Sequence, residues 1–259
     1  MSLLKPRRGS LALLCLSAGW VAMAATPAHA LIINGDVTSG GDQIYGIQMT
    51  SGSPMVSTVA GVGGGPGTNA NNSPGAEIAP FAIDNNKDTK YLNFAGTTFN
   101  ITNGDYTGFI VTPDIARNEG ATVLSAFHFT TGNDAPDRDP QTIIIEGTND
   151  AIPAGQGAGA QITAAWTRLY SGSSGLENIT SRSDDPPDFG NGPIVPFVPT
   201  DPRGFTSYRV LITSVQSQNQ TCCMQFGEIE LIGSTVPEPA TLGLLGLGGL
   251  GLLARRRRI

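Results

Sequence analysis

Met224-Gln225-Phe226-Gly227-Glu228-Ile229-Glu230-Leu231-Ile232 carries the pattern on which the fold turns. Ile229 and Leu231 take turns with Glu228 and Glu230, the period of two that lines one face of a half-buried antiparallel strand with apolar side chains. Tyr208, Val210 and Ile212 alternate in the same way with Arg209. Working outward, residues 44–50, 108–112, 123–131, 142–147, 165–171, 207–213 and 224–232 read as strands. Residues 61–75, 153–159 and 171–201 are rich in Gly, Pro, Asn, Ser or Asp and read as loops. The body sustains no helical period, and no fixed-length repeat recurs, which argues against solenoids and propellers. The spacing predicts an all-β fold, an antiparallel two-sheet sandwich of jelly-roll type.

Both ends read as processing signals. Lys5, Arg7 and Arg8 precede an apolar run over 11–25, and Ala28-His29-Ala30 offers the small-x-small site of a signal peptidase, with cleavage after Ala30. The run is shorter than the roughly 20 residues of a spanning helix. At the other end, Pro237-Glu238-Pro239 precedes an apolar, Gly-rich stretch over 240–254 and then Arg255, Arg256, Arg257 and Arg258. The prolines stop regular structure and keep Glu238 accessible, the apolar stretch enters the inner membrane as a hydrophobic helix, and the arginines stay cytoplasmic. The expected organisation is a signal peptide over 1–30 and an N-terminal strand with a Gly-rich loop over 31–75, packed on or leading into a sandwich over 76–235. A sorting tail over 236–259 follows. Between the signals, residues 31–236 hold 8 basic and 20 acidic side chains. Such a body repels phosphate backbones and anionic lipid, which argues against a nucleic-acid partner and makes a divalent cation the more natural one.

The tail resembles the PEP-CTERM sorting signal of Gram-negative bacteria that make exopolysaccharide. The resemblance implies recognition by an exosortase, an integral-membrane peptidase that removes the tail, so the membrane association is transient; permanent anchoring is the alternative. The body resembles galactose-binding-like (discoidin, F5/8 type C) domains in three places. These are the stretch from Pro80 through Asp84-Asn85-Asn86-Lys87-Asp88-Thr89 to Phe94, the pair Asn133-Asp134-Ala135-Pro136-Asp137-Arg138-Asp139-Pro140 and Ile145-Glu146-Gly147-Thr148-Asn149-Asp150, and the closing runs Trp166 to Gly172, Tyr208-Arg209-Val210 and Met224 to Leu231. Together they span about residues 76–233.

Asp84, Asn85, Asn86, Asp88 and Thr89 put two carboxylates, two amides and a hydroxyl within six residues, the hard oxygen donors that Ca2+ prefers. The competing reading is an Asx-type turn in which Asp84 and Asp88 only cap backbone amides. The family resemblance implies a structural calcium at Asp84, Asn86, Asp88 and Thr89, with Glu228 as the favoured partner and Glu230 the alternative. The Gly and distal Glu of an EF-hand are missing. In the cluster Asp134, Asp137, Arg138 and Asp139, the arginine suits bidentate recognition of a ligand, but satisfaction by its own neighbouring aspartates is the favoured reading. Tyr91, Tyr106, Phe189 and Trp166 could stack on a sugar ring, although Trp166 opens a strand and belongs more naturally to the core, as does Tyr91.

Catalytic material is scarce. His128 is the only histidine left after signal removal and sits outward-facing between Phe127 and Phe129, leaving a Ser-His-Asp triad or a His-rich zinc site little to draw on. Cys222 and Cys223 are adjacent; a strained ring, free thiols and bridges to another molecule all stay open. The expected function is that of an exported surface or exopolysaccharide-matrix protein, a non-catalytic carbohydrate-binding or adhesion module. A purely structural surface protein and a secreted carbohydrate-active enzyme are the alternatives.

Overall fold

The computed structural model describes residues 35–50, 53–56, 73–86, 88–94, 106–118, 120–152, 164–182, 192–199, 201–217 and 223–236. Ala28, Ala30, Pro237, Glu238, Pro239 and Arg255–Arg258 lie outside them, as does the apolar stretch of the tail. Among the described residues no helix is long and apolar enough to cross a membrane.

Twelve strands run through these residues: β1 (Gly35–Asp36), β2 (Gln43–Thr50), β3 (Ser53–Val56), β4 (Tyr91–Asn93), β5 (Tyr106–Thr112), β6 (Thr122–Thr130), β7 (Pro140–Thr148), β8 (Thr167–Ser173), β9 (Ile194–Pro196), β10 (Ser207–Val215), β11 (Met224–Phe226) and β12 (Glu228–Thr235). They form a six-stranded sheet in the order β3-β2-β5-β10-β7-β8, a four-stranded sheet β1-β12-β6-β9 and a small pair β11-β4. Every pairing is antiparallel. The expected antiparallel sandwich is the observed architecture.

The alternation explains the core. Phe109, Val111, Ile143, Ile145, Val210 and Ile212 from the larger sheet meet Leu124, Phe127, Phe129, Ile229 and Leu231 from the smaller one. Phe226 closes one end, its ring edge-on to Phe129 at 5.0 Å and to Tyr91 at 5.7 Å. Residues of opposite parity on the same strands, Ile110, Ile144 and Leu211, join Tyr45 and Ile47 in a second apolar cluster. The central strands β2, β5, β10 and β7 are therefore buried on both faces, and β10 departs from the half-buried strand its alternation predicts. Arg209 is buried on that second face, donating to Glu146 at 2.9 Å with its guanidinium 4.4 Å from the centre of the Trp166 ring. Gly108 lets β5 approach β10: its φ is +152°, and a Cβ there would stand 1.9 Å from the Val210 carbonyl oxygen.

Three expectations are corrected. The run 224–232 is two strands in different sheets, because Phe226 and Ile229 both enter the core although they are three residues apart. A continuous strand would put them on opposite faces, and the chain switches at Gly227, whose amide donates to the Thr130 carbonyl (2.9 Å). The N-terminal segment supplies three strands rather than one, with β2 paired to β5 from Gln43 to Met49, so the sheets begin well before residue 76. Within 171–201, expected as loop, β9 pairs with β6, and its Val195 and the following Phe197 pack against the core. A five-residue helix, Asp114–Asn118, and 3-10 turns at Ala79–Ala82 and Pro136–Arg138 complete the fold.

The two ends of the sandwich differ. One gathers the close of β12 and the starts of β6 and β10, where Tyr208 Oη donates to the Thr122 carbonyl at 2.5 Å and Thr122 bridges Phe205. The other carries loop 132–139 and the start of β12. Tyr208→Phe should lower stability by about 1–2 kcal/mol through the lost buried hydrogen bond, read as a fall in Tm of about 2–8 °C in thermal denaturation.

Candidate functional site

Loop 84–90 is pinned between two fully buried side chains, Ile83 and Tyr91. The Tyr91 hydroxyl reaches into the core to donate to the Gly108 carbonyl (2.8 Å), so this ring serves packing, as expected. Within the loop Asp84 accepts from the Asn86 amide (3.0 Å) and the Thr89 hydroxyl (2.9 Å), and the Asn86 side chain accepts from the Asp88 amide (3.1 Å). These are the bonds of an Asx turn, with Asn85 in the left-handed region at φ +57°. Asp84 and Thr89 are half-buried; Asn86 and Asp88 are exposed.

Glu228 lies against this loop. It is the first residue of β12 and 1% exposed, and neither carboxylate oxygen has a hydrogen-bond partner of acceptable geometry. Burial pushes its pKa up to about 9, against the pull of the nearby Asn85 amide and helped by the charges of Asp84 and Asp36. A buried, unpartnered carboxylate beside a second acidic group is costly without a counter-charge. The surrounding donors are oxygens, a set suited to a hard divalent cation. No group of three or more His, Cys, Asp or Glu side chains converges among the described residues, so a cation here would draw on backbone carbonyl, amide and hydroxyl oxygens beside the two carboxylates. Glu230 faces elsewhere, with Oε2 3.4 Å from His128 Nδ1. His128 is half-buried and its Nε2 is 2.8 Å from the Gly192 carbonyl, so both ring nitrogens are engaged.

Loop 132–139 forms the second polar cluster. Ala135 takes a left-handed conformation (φ 40°, ψ 67°) before the turn Pro136–Arg138. Lys90, which directly follows Thr89, reaches across to Asp134 Oδ1 (2.6 Å), Glu77 (3.3 Å) and Gln225 (3.2 Å). Gln225 Nε2 donates to Asp134 Oδ1 at 2.8 Å. Partial burial works against the Asp134 carboxylate, but the bonds from Lys90 and Gln225 outweigh it and hold its pKa below the usual range. Asp139 is buried; Arg182 donates to its Oδ2 at 2.6 Å, while Oδ1 has no partner. Burial raises its pKa to about 6 against the pull of Arg182.

The favoured reading of Arg138 is met through charge alone: Lys90 and Arg182 supply the side-chain bonds to the aspartates, while Arg138, whose amide donates to the Ala135 carbonyl (3.0 Å), acts on Asp134 by its charge and makes no side-chain hydrogen bond among the described residues. Lys90, Arg182 and Gln225 are not singled out by the sequence, since their bonds to one another and to Asp134 and Asp139 span 43 to 135 positions. Trp166 packs on the outer face of the six-stranded sheet rather than in the main core, with Tyr106 in the same cluster. Phe189 lies outside the described residues. Cys223 is fully buried and disulfide-bonded, which excludes a free thiol there; Cys222 lies outside the described residues.

An antiparallel β-sandwich with an acidic loop and a braced polar loop is the class of protein that fold and site define. Residues 235–258 match the PEP-CTERM protein-sorting motif, the signal of exported proteins processed at the membrane by an exosortase. No curated protein matches the chain. Similar solved structures are carbohydrate-binding modules of Clostridium perfringens. The module CpGH89CBM32-5, in complex with GalNAc-β-1,3-galactose, has 11% identity and a TM-score of 0.39 over 73% of this chain and 94% of that one. The family 32 module of NanJ, in complex with galactose, has 13% identity and a TM-score of 0.37 over 62% and 88%. The CBM32-3 module of a family 31 glycoside hydrolase has 9% identity and a TM-score of 0.40 over 73% and 95%.

Proposed function

We propose that the protein is an exported, non-catalytic binding module of the cell surface or exopolysaccharide matrix, which meets carbohydrate through loop 132–139 and is tied at loop 84–89 by a structural calcium. The observation that carries the binding reading is the bracing of loop 132–139. Lys90, Arg182 and Gln225 hold its backbone and aspartates, while Asn133 and Asp137 are exposed and the half-buried Arg138 makes no side-chain hydrogen bond among the described residues. A fixed loop that offers a guanidinium, a carboxylate and an amide to solvent binds hydroxyl-rich ligands without a large ordering cost. Calcium is supported by the stranded carboxylate of Glu228, with Asp84, Asn86, Asp88 and Thr89 supplying side-chain or backbone oxygens. Because Lys90 adjoins Thr89, a cation that stiffens the first loop also stiffens the anchor of the second.

A catalytic role has little support, since both nitrogens of His128 are occupied. Galactose and GalNAc-β-1,3-galactose are the first probes, followed by a glycan array. Arg138→Ala should weaken binding about tenfold or more, as expected for loss of a charged hydrogen bond, with Tm unchanged. An array on which nothing binds would favour the purely structural surface protein. Turnover of a polysaccharide that is lost on substituting an acidic residue would favour the enzyme.

A further inference from the structure

We infer that, while its tail is in the bilayer, the sandwich stands end-on, with the Ala121–Gly204 end against the membrane and loop 132–139 facing away from it. The inference rests on the proposed sorting of the tail and adds to it an orientation, which the hydrogen bonding at the chain's exit point fixes. Thr235 is paired with Thr122, and the Val236 amide donates to the Ala121 carbonyl at 2.7 Å. Gly204 backs onto the same residue, since a Cβ there would stand 3.2 Å from Val236 Cγ2. The folded body therefore holds the chain through Val236, and Pro237-Glu238-Pro239 is all that separates it from the apolar stretch beginning at Ala240.

Four residue steps extend at most about 14 Å, and two prolines stiffen the path. The tether is too short to let the body roll over. Strand β6 covers nine residues from this end to the other, so it carries the far loop roughly 30 Å further out. Loop 132–139 is consequently presented outward before the tail is removed, and a polymer can be captured by the tethered form.

The test uses the full chain expressed in its host with Pro237-Glu238-Pro239 replaced by alanines to retain the tail. Asn133→Cys and Arg203→Cys, introduced singly, are treated with a bulky, membrane-impermeant polyethylene-glycol maleimide. The protein without an added cysteine gives the background. In membranes, position 133 should label and position 203 should lose labelling; in the processed, released protein both should label. A Gly/Ser linker of about 30 residues inserted directly after Val236, which spans about 30 Å, should restore labelling at 203 in membranes. Equal labelling of the two positions in the short-tethered form overturns the orientation. Recovery of the tailed chain entirely in the soluble fraction overturns instead the sorting on which it rests, so the two failures are told apart by fractionation before any labelling is read.

Discussion

Calcium added to the processed protein is expected to raise its Tm by about 5–10 °C once the ion is about a hundredfold above its Kd. That excess contributes about 2.7 kcal/mol, and a domain of this size gains about 2–4 °C per kcal/mol. Glu228→Gln should abolish the response while making the calcium-free protein more stable near neutral pH, because the carboxylate must take up a proton to be buried and an amide need not. The sign follows from the direction of the shift. Folding raises the Glu228 pKa from 4.5 to about 9, so the calcium-free native state is most favoured below the ordinary carboxylate range and loses stability as pH climbs from there through 9. The loss is on the order of 5 kcal/mol by linkage. A bound divalent cation stabilises the ionised form and should flatten that slope. Thermal melts from pH 5 to 9, with calcium or with a chelator, read all of this together. No shift at saturating calcium, or an unaltered response in Glu228→Gln, removes the metal.

The strand alternation was legible because it is a local, period-two signal, and β2, β5, β6, β7 and β10 all lie within a few residues of where it puts them. What escaped the sequence was short or non-local. β4 and β9 have three residues each, too few for any periodicity, and Pro193, Pro196 and Pro199 disguise β9 as loop although Val195 and Phe197 serve the core. The switch at Gly227 was in principle readable, since Phe226 and Ile229 are both apolar at odd separation. The loop 84–89 chemistry was visible as a cluster of oxygen donors, and the sequence also singled out Glu228. That its carboxylate is unpartnered was not visible, because that depends on what chain segments 36–40 and 84–86 bring against it. Arg138 shows the opposite failure. Adjacency in sequence suggests that the neighbouring aspartates satisfy it, yet it reaches Asp134 through charge alone, while the side-chain bonds to Asp134 and Asp139 come from Lys90 and Arg182, which arrive from other parts of the chain.

Replacing Pro237-Glu238-Pro239 by alanines is expected to abolish release and accumulate a membrane-bound form, the all-or-none effect among these predictions. Prolines cannot donate a backbone hydrogen bond, and they follow directly on Val236, the last described residue, whose amide is bonded to the sandwich. Three alanines are strong helix formers, which would withdraw position 238 from a peptidase that needs extended chain. Intact mass separates the effects of the two signals. The cut after Ala30 depends on the other end of the chain, so the alanine variant should still lose residues 1–30 and retain everything to Ile259. The parent protein should lose both ends. Converting Arg255–Arg258 to glutamines should act differently, because the arginines hold the tail's end inside. Each would cost about 2.5–3.5 kcal/mol at the centre of the bilayer, and without them the tail can follow the body across. Release of the alanine variant at the parental mass would show that recognition of the motif plays no part in how the chain leaves the membrane.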